Sequence, residues 1–250
     1  MNTSAYLKRI GCTTDSGPSL AALQQLQQAH LLTVPFENLD IPLGRRINLG
    51  NTFEKVVNNR RGGFCYELNG LFYELFQALG YQLHMISARV YNDKTHAYGP
   101  EYDHMALVVT VEEEDYLVDV GFGEFALHPL KLQLSQEQED ARGRFIVELH
   151  DGEYLVVKKR VQDDWVPEYI FSRTPRGLAE FESMCLYHQT SPASHFTQKS
   201  LCSLLTPEGR ITLTGYTLKT TRNGSIATER VLADEEEYRH ALVEHFGVRL

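Results

Sequence analysis

A cysteine on a glycine-rich turn is the residue of this sequence best placed for chemistry. Residues 60–70 read RRGGFCYELNG, so Cys65 stands directly before a run with the spacing of a helix. The apolar positions of that run are Leu68, Leu71, Phe72, Leu75 and Leu79. The pattern stops at Gly80, a residue type suited to the left-handed end of a helix. We therefore expect Cys65 in or next to the first turn of a helix.

This predicted position favours a reactive thiol. A helix N-terminus has unpaired N–H groups and the positive end of the macrodipole, and both stabilise an anion. Arg60 and Arg61 lie just upstream, so the surroundings favour the thiolate, the nucleophilic form of Cys65. A buried structural cysteine is the alternative, because free cysteine is among the most buried residue types. A nucleophile also needs a base and a group that orients the base.

Candidates for the base and its orienting group lie in one predicted hairpin. Residues 105–111 (MALVVTV) and 116–120 (YLVDV) read as buried strands, and the acidic residues 112–115 between them read as a solvated turn. His104 opens the first strand and Asp119 nearly closes the second. Their pairing therefore depends on the length of the turn.

A tight turn brings His104 and Asp119 together. A two-residue turn at 112–113 makes them diagonal neighbours on one face, about 7–8 Å apart. A four-residue loop separates them by about 13 Å. An acid within an apolar strand is costly to bury alone, and we expect the Nδ1–H group of His104 to be the partner of Asp119. Without this pairing His104 reads as an ordinary surface residue at a strand end.

Four motifs in one order give the sequence a family resemblance. They are VPFENLD at 34–40, RRGGFC at 60–65, His104, and VDVGFG at 118–123. In order and spacing they resemble the arylamine N-acetyltransferase family. Cysteine, histidine and aspartate alone recur in unrelated enzymes, so the ordered set is more specific than any one motif. The C-terminal third resembles the family only loosely, through SPASHF at 191–196 and through Gly209-Arg210.

The resemblance implies roles for three residues and a fold. Cys65 would be the acetyl-accepting nucleophile, His104 the base and Asp119 the orienting acid. The implied fold is α+β, with a papain-like Cys-His-Asp triad. It comprises three domains, which are a helical N-terminal domain (1–83), a β-barrel-like middle domain (84–185) and an α/β C-terminal lid (186–250).

The implied function is acetyl transfer from acetyl-CoA, through a cysteine thioester, to the nitrogen of an aromatic amine or hydrazine. The order would be ping-pong, and the resemblance places the enzyme in xenobiotic metabolism. An aromatic amine suits flat aromatic walls, and Phe36, Phe122 and Gly123 are the predicted substrate contacts. Phe64 reads more simply as core. Glu37 is predicted to pair with Arg60 and to pin the loop that presents the cysteine.

The charge balance of the chain restricts its partners. A net charge of −9 argues against nucleic acid. Coenzyme A is a polyanion as well, so its site must be locally positive. Lys219 and Arg222, beside glycine and hydroxyl residues, are the predicted coenzyme contacts. Arg210 and the basic residues 158–160 are alternatives that read as ordinary solvated charge.

Composition is that of a soluble globular protein. The chain has 250 residues, 42% hydrophobic and 23% charged, which suits one large domain or two to three small ones. No apolar run is long enough for a membrane span, and the N-terminus does not read as a signal peptide. The cysteines show neither disulfide nor metal-ligand spacing. We expect a cytoplasmic protein without a metal cofactor.

The regular elements outside these motifs follow simple patterns. A helix is predicted around residues 20–26 and another at 234–246. Strands are predicted at 84–91, 145–150 and 154–161.

Three functions remain open from the residues alone. Acetyl transfer is favoured. A cysteine hydrolase of the protease or transglutaminase type, or an amide-forming acyltransferase with another acyl donor, uses the same three residues. A scaffold without catalysis is the third possibility, against which the intact Cys65, His104 and Asp119 argue.

Overall fold

The helices of the chain were identified in a computed structural model, which describes residues 1–13, 17–123 and 125–250. They are α1 (Thr3–Arg9), α2 (Leu20–Thr33), α3 (Cys65–Ala78), α4 (Glu182–Thr190) and α5 (Glu235–Phe246). Short 3₁₀ or π turns lie at Leu49–Asn51, Glu54–Asn58, Leu178–Phe181 and His195–Thr197. The helices predicted at residues 20–26 and 234–246 are confirmed as α2 and α5. Within the described residues, no helix combines the length and apolar character of a membrane span.

The strands of the described residues form two antiparallel sheets. They are β1 (Phe36–Glu37), β2 (Gln82–Asn92), β3 (Ala97–Tyr98), β4 (His104–Val111), β5 (Glu114–Val118), β6 (Leu130–Lys131), β7 (Gln138–Asp140), β8 (Gly143–Asp151), β9 (Tyr154–Val161), β10 (Asp164–Ser172), β11 (Leu201–Thr206), β12 (Gly209–Thr214), β13 (Thr217–Arg222) and β14 (Ser225–Val231). The strands predicted at 84–91, 145–150 and 154–161 are confirmed as β2, β8 and β9.

The larger sheet curls into a nearly closed barrel. Its strand order is β6-β5-β4-β2-β10-β9-β8-β7, with β3 paired to β2. A side chain links the two edge strands, because Gln138 on β7 accepts from the Lys131 N–H on β6 at 2.8 Å and donates to the Lys131 carbonyl at 2.9 Å. The mixed helix-and-sheet fold and its barrel-like part are therefore confirmed.

Strand β10 has no counterpart in the sequence analysis. It contains Pro167, and its pairing with β9 shifts register between Pro167 and Tyr169. Proline lacks the N–H group that a ladder needs, so it argues against a central strand unless a bulge accommodates it. The missed strand matters because Tyr169 reaches the functional site described below.

Strand β4 is buried on both faces, and this burial fixes its register. Met105, Leu107 and Val109 belong to the core shared with α3, whereas Ala106 and Val108 face the barrel interior. This alternation follows from the period of two along a strand. A register slip of one residue would exchange the two faces, so the position of His104 at the start of β4 is well determined.

The turn between β4 and β5 is the tight one that the pairing requires. Glu112 and Glu113 have φ of 54° and 65°, as in the two-residue turns that match strand twist. Leu107 pairs with Val118 and Val111 with Glu114. The predicted turn over 112–115 is therefore too long, because its last two residues are already in β5.

Helix α3 presents the cysteine at its first residue. Phe64 precedes the helix in an extended conformation, and its N–H donates to the Glu67 carboxylate at 3.1 Å, half of a capping box. The helix ends as predicted, with Gly80 at φ 85°. Cys65 thus lies where unpaired helical N–H groups point outward.

The smaller sheet, ordered β1-β11-β12-β13-β14, joins distant parts of the chain. Its first pair places Phe36 opposite Ser203, so the motif at 34–40 lies beside the C-terminal segment. Helix α5 packs on this sheet through a separate core that includes Leu213, Tyr238 and Phe246. The predicted domain divisions at 83/84 and 185/186 fall inside β2 and α4.

Candidate active site

Cys65 lines an open cavity of about 890 Å³, although its own exposed fraction is only 4%. Gly121, from the motif at 118–123, passes directly against it. A Cβ added at Gly121 would lie 2.7 Å from Cys65 Cα and 2.8 Å from Asn69 Nδ2. Glycine at 121 therefore allows the segment after β5 to approach the first turn of α3.

His104 and Asp119 are in direct contact. His104 Nε2 lies 2.6 Å from Asp119 Oδ2, and both residues are buried. The predicted contact through Nδ1 is wrong, since Nε2 faces the carboxylate. The ring nitrogen left for proton transfer is then Nδ1. His104 lines the same cavity as Cys65, so all three predicted residues meet in one place.

The Asp119 carboxylate is surrounded by hydrogen-bond donors. Oδ1 accepts from Asn69 Nδ2 at 2.9 Å and from the Gly121 N–H at 2.8 Å. Oδ2 accepts from the Tyr169 hydroxyl at 3.1 Å besides its contact with His104. Burial raises the pKa of Tyr169, and the charge of Asp119 raises it further, so the hydroxyl keeps its proton and donates. These contacts hold Asp119 in one orientation.

Asn69 connects the helix of the nucleophile to the hairpin. It lies one turn after Cys65, on the same face of α3. Its Nδ2 donates to the Met105 carbonyl at 2.6 Å as well as to Asp119, and its Oδ1 accepts from the Val120 N–H at 2.9 Å. The sequence analysis missed both Asn69 and Tyr169. A polar residue four positions after the cysteine was the available signal for Asn69.

The cavity does not stabilise an isolated thiolate. Burial raises the pKa of the Cys65 thiol well above its ordinary value, and Cys185, Asp119 and Asp103 raise it further. A hydrogen bond from the Met105 backbone acts in the opposite direction. The helix N-terminus alone therefore does not supply the predicted thiolate, and the proton must pass to a neighbouring base.

The upstream arginines do not act on the thiol as expected. Arg61, rather than Arg60, pairs with Glu37: its Nε donates to Glu37 Oε1 at 2.9 Å, and its Nη2 lies 3.1 Å from Asp40 Oδ1. Arg60 instead takes a left-handed conformation with φ 54°. The predicted role of Glu37 in pinning the loop fits this geometry, but with the neighbouring arginine as the partner.

A buried ionic network extends from this pair to the start of α3. Lys55 Nζ lies 2.8 Å from Asp40 Oδ2 and 2.9 Å from Glu67 Oε1. Glu67 also accepts from the Phe64 N–H directly before the helix. Burial raises the pKa of Glu67 to about 7. The network anchors the turn that carries Cys65.

Aromatic side chains form much of the cavity wall. Phe36, Phe122 and Gly123, the predicted substrate contacts, all line it. The Phe122 ring meets the His104 ring edge to face at 5.3 Å. Phe64 is fully buried, which agrees with a core role. Phe196, which the sequence analysis did not select, completes this wall.

The predicted coenzyme contacts lie elsewhere. Lys219 and Arg222 are on β13 and do not line the cavity, and Arg222 Nε lies 3.6 Å from Glu208. The cationic residues that line it are instead Lys94 and Arg210, and the imidazoles of His188 and His195 lie on the same wall. Arg210 donates to Ser203 Oγ at 2.8 Å and to the Gly123 carbonyl.

A buried cysteine and an imidazole on one cavity, with a carboxylate behind the imidazole, are the arrangement of cysteine-dependent transferases and hydrolases. Among the described residues, no group of three histidine, cysteine or acidic side chains could hold a metal ion. The N-acetyltransferase family model matches residues 19–250. The chain belongs to the arylamine N-acetyltransferase family.

Individual relatives agree over the whole length. Arylamine N-acetyltransferase 2 of Mus musculus is 34% identical over 277 residues, covering 100% of this chain and 95% of the relative. A Bacillus cereus arylamine N-acetyltransferase, described with a Cys-His-Glu catalytic triad, superposes with a TM-score of 0.91 at 28% identity, covering 100% of both chains. The Mycobacterium marinum enzyme in complex with CoA superposes at 0.89 with 30% identity, covering 99% of this chain and 93% of that one.

Proposed function

We propose that this protein transfers an acetyl group from acetyl-CoA to the nitrogen of an aromatic amine or hydrazine, through a thioester on Cys65. The observation that carries the proposal is the His104–Asp119 pair on the cavity that Cys65 lines. Family membership and the CoA-bound Mycobacterium marinum relative support the substrates. The Bacillus cereus relative supports a triad, with aspartate here in the place of glutamate.

In the first half-reaction Cys65 becomes the nucleophile by giving its proton to His104. Because burial raises the pKa of the thiol, the thiolate is formed together with an imidazolium rather than alone. Asp119 stabilises that imidazolium through Nε2. Cys65 then attacks the acetyl carbonyl, and His104 returns the proton to the departing coenzyme sulfur. Exchange of one thioester for another is nearly balanced in free energy, so the acetyl group stays activated on Cys65.

In the second half-reaction the acceptor nitrogen attacks the acetyl group on Cys65. An aromatic amine is mostly neutral at pH 7 and needs no prior deprotonation. His104 accepts a proton from the nitrogen as the new bond forms, and Cys65 leaves as the thiolate. Phe36 and Phe122 supply flat surfaces against which an aromatic ring packs. Because coenzyme A leaves before the acceptor attacks and the acetyl group stays on Cys65 in between, the order is ping-pong.

The cavity suits the coenzyme chemically. It is open, and it combines aromatic walls with the cationic Lys94 and Arg210, which match the phosphates of coenzyme A. We propose these two residues as phosphate contacts. Lys219 and Arg222, the contacts predicted from the sequence, do not line the cavity and serve as matched controls. Lys94→Gln and Arg210→Gln should each raise KM for acetyl-CoA about tenfold, whereas Lys219→Gln and Arg222→Gln should leave it unchanged. If Lys219→Gln and Arg222→Gln raise this KM and the other two variants do not, Lys219 and Arg222 are the coenzyme contacts, as the sequence predicted.

The three-part layout also remains a proposal. We propose a helical segment, a barrel segment and a C-terminal lid, with divisions moved out of β2 and α4 into the adjoining loops. The lid includes the sheet that β1 completes. A cytoplasmic location is proposed on chemical grounds, since a reducing compartment keeps a nucleophilic thiol in its free form.

Intact mass measurement tests the proposed function. Pure protein mixed with acetyl-CoA and no acceptor should gain the mass of one acetyl group. Cys65→Ser should gain none, while Cys12→Ser, which changes a buried cysteine of the same core, should behave as the unmodified chain. A hydrolase or a scaffold would show no gain. Acylation only by longer acyl-CoA donors would identify another acyltransferase.

A further inference from the structure

A second imidazole–carboxylate pair lines the same cavity. His188, on α4, places Nε2 3.2 Å from Asp103 Oδ1, and its Nδ1 lies 3.1 Å from Ser194 Oγ. Asp103 and His188, the second pair, lie on the cavity wall together with Cys65 and His104. Neither half-reaction uses this pair.

His188 is a fixed part of the wall. Its side chain is 5% exposed. The ring stacks on Tyr66 with centroids 6.2 Å apart and meets Phe196 edge to face at 5.3 Å. Nε2 lies at ion-pair distance from Asp103 without hydrogen-bond geometry, and Nδ1 contacts Ser194, so His188 is poorly placed to take a proton from a substrate. It acts instead on Asp103.

Asp103 is tied to both parts of the catalytic machinery. It directly precedes His104, and its carbonyl accepts from the Tyr66 hydroxyl at 3.1 Å, where Tyr66 is the residue after Cys65. Its side chain is 18% exposed and fits closely against the backbone, since a Cβ at Gly99 would lie 2.3 Å from Asp103 Oδ2. The carboxylate is therefore held near the thiol but is still accessible from the cavity.

A carboxylate in this position does not help the first half-reaction. After burial, the charge of Asp103 is among the effects that raise the pKa of the Cys65 thiol, so it opposes thiolate formation. An ionised carboxylate only accepts hydrogen bonds, so the substrate group that matches it is an N–H or O–H donor.

We propose that Asp103 accepts a hydrogen bond from one of the two N–H groups on the attacking nitrogen of the acceptor, and that His188 is the positioning residue that holds its carboxylate. The inference rests on the acetyl-cysteine intermediate proposed above. In that step the nitrogen lone pair forms the C–N bond, and the C–S bond breaks with its electron pair left on Cys65. One proton passes from nitrogen to His104, while the other N–H stays on the product and bonds to Asp103.

The proposal defines a substrate preference. Primary aromatic amines and hydrazines with a terminal NH₂ group have both protons that the arrangement uses. An N-alkylated aromatic amine has one, which must go to His104. Asp103 therefore selects primary over secondary nitrogen, and it does so only in the second half-reaction.

Separate measurement of the two half-reactions tests this role. Acetyl-enzyme is formed with acetyl-CoA, freed of coenzyme, and mixed with aniline or with N-methylaniline, and loss of the acetyl mass is followed. Asp103→Asn should lower the rate with aniline about 10- to 100-fold, the value of a hydrogen bond to a charged group. The rate with N-methylaniline should change less than about threefold, and acetylation by acetyl-CoA should not fall.

Other outcomes would overturn the proposal. Equal losses with both amines, or an equal loss in acetylation, would give Asp103 a general structural or electrostatic role. Failure of the unmodified chain to gain an acetyl group would instead refute the proposed function itself. If Asp103→Asn does not fold, His188→Gln provides the same comparison through the partner residue.

His188→Gln should also lower the rate with aniline more than the rate with N-methylaniline. The difference should be smaller than in Asp103→Asn, because the Asp103 carboxylate is still present and loses only its contact with His188. His188 is faced by Asp103, His195, Tyr66 and Tyr187, so the rates are compared at one pH above the ordinary range of histidine. His128→Gln is the control, since His128 forms a similar pair with Asp140, at 2.9 Å, outside the cavity. It should change neither half-reaction. An unchanged ratio of the two amine rates in His188→Gln would contradict its positioning role.

Discussion

The two imidazole–carboxylate pairs of the cavity differ in how their carboxylates are surrounded. Asp119 is fully buried, and its oxygens accept from Asn69, Gly121, Tyr169 and His104. Asp103 is partly exposed and faces the cavity, with His188 Nε2 3.2 Å from its Oδ1. A carboxylate whose acceptor sites are filled can only orient its neighbours. A carboxylate with an open side can also bind a substrate.

The pairs also differ in how the chain brings them together. His104 and Asp119 lie across a two-residue turn, in one hairpin whose register is set by burial on both faces. Asp103 and His188 come from the segment before β4 and from α4, and no local pattern relates them. The hairpin pair is thus a property of local structure, and the second pair is a property of packing.

The largest effect should come from removing the base of the hairpin pair. His104→Gln should lower acetyl transfer by about 10³ or more. It should also suppress labelling of Cys65 by iodoacetamide at pH 7, because burial raises the pKa of the thiol and thiolate then forms only in alkaline solution. Labelling should increase again only in strongly alkaline solution. Unchanged labelling at pH 7 would mean that the helix N-terminus alone activates the thiol.

Replacement of the orienting acid, Asp119, should have the second largest effect on turnover. Asp119→Asn keeps the shape of the side chain but removes the charge that stabilises imidazolium. Turnover should fall about 10²–10⁴-fold; the analogous change in serine proteases costs about 10⁴. Labelling of Cys65 at neutral pH should fall with it. Circular dichroism separates this result from misfolding, and a folded variant with near-normal turnover would leave Asp119 without a catalytic role.

Loss of a single donor to Asp119 should have a moderate effect. Tyr169→Phe removes the hydroxyl that donates to Oδ2, and turnover should fall about 2- to 10-fold, the usual range for one hydrogen bond. Both amine acceptors should be affected equally, which distinguishes this variant from Asp103→Asn. Tyr6→Phe, which removes a buried hydroxyl bonded to His30, is the control and should leave turnover unchanged.

Substitutions in the turn between β4 and β5 should have the smallest effect on activity. Glu112 and Glu113 both have positive φ, and replacement by Asn-Gly, the preferred pair for this turn, relieves that strain. We expect the free energy of unfolding to rise by about 1 kcal/mol and turnover to stay within about twofold. A large loss of activity would show that the glutamates, rather than the turn geometry, matter for the hairpin pair.

Several features of the site followed from local sequence patterns. The start of α3 at Cys65 was predictable because helical spacing and Gly80 bound the helix. The approach of His104 to Asp119 was predictable because strand alternation and turn length decide which residues share a face. These are short-range effects, so a window of 10–20 residues contains the information that they need.

Other features depended on contacts between distant segments. Whether Arg60 or Arg61 pairs with Glu37 depends on the left-handed backbone at Arg60, which the residue type did not indicate. Which nitrogen of His104 faces Asp119 depends on how the ring packs against Phe122 and Tyr169. The strand that carries Tyr169 was missed because Pro167 interrupts its pattern.

The sequence by itself determined the nucleophile's place on a helix and the hairpin that pairs base and acid, because both rest on residues close together in the chain. It also determined the family resemblance, which rests on the order of four motifs. Only the tertiary structure decided which cations and aromatic rings line the cavity. It also raised the pKa of Cys65 through burial and placed His188 beside Asp103. These properties depend on which surfaces meet and how much water they exclude, and that is settled when the barrel, the helices and the C-terminal sheet pack together.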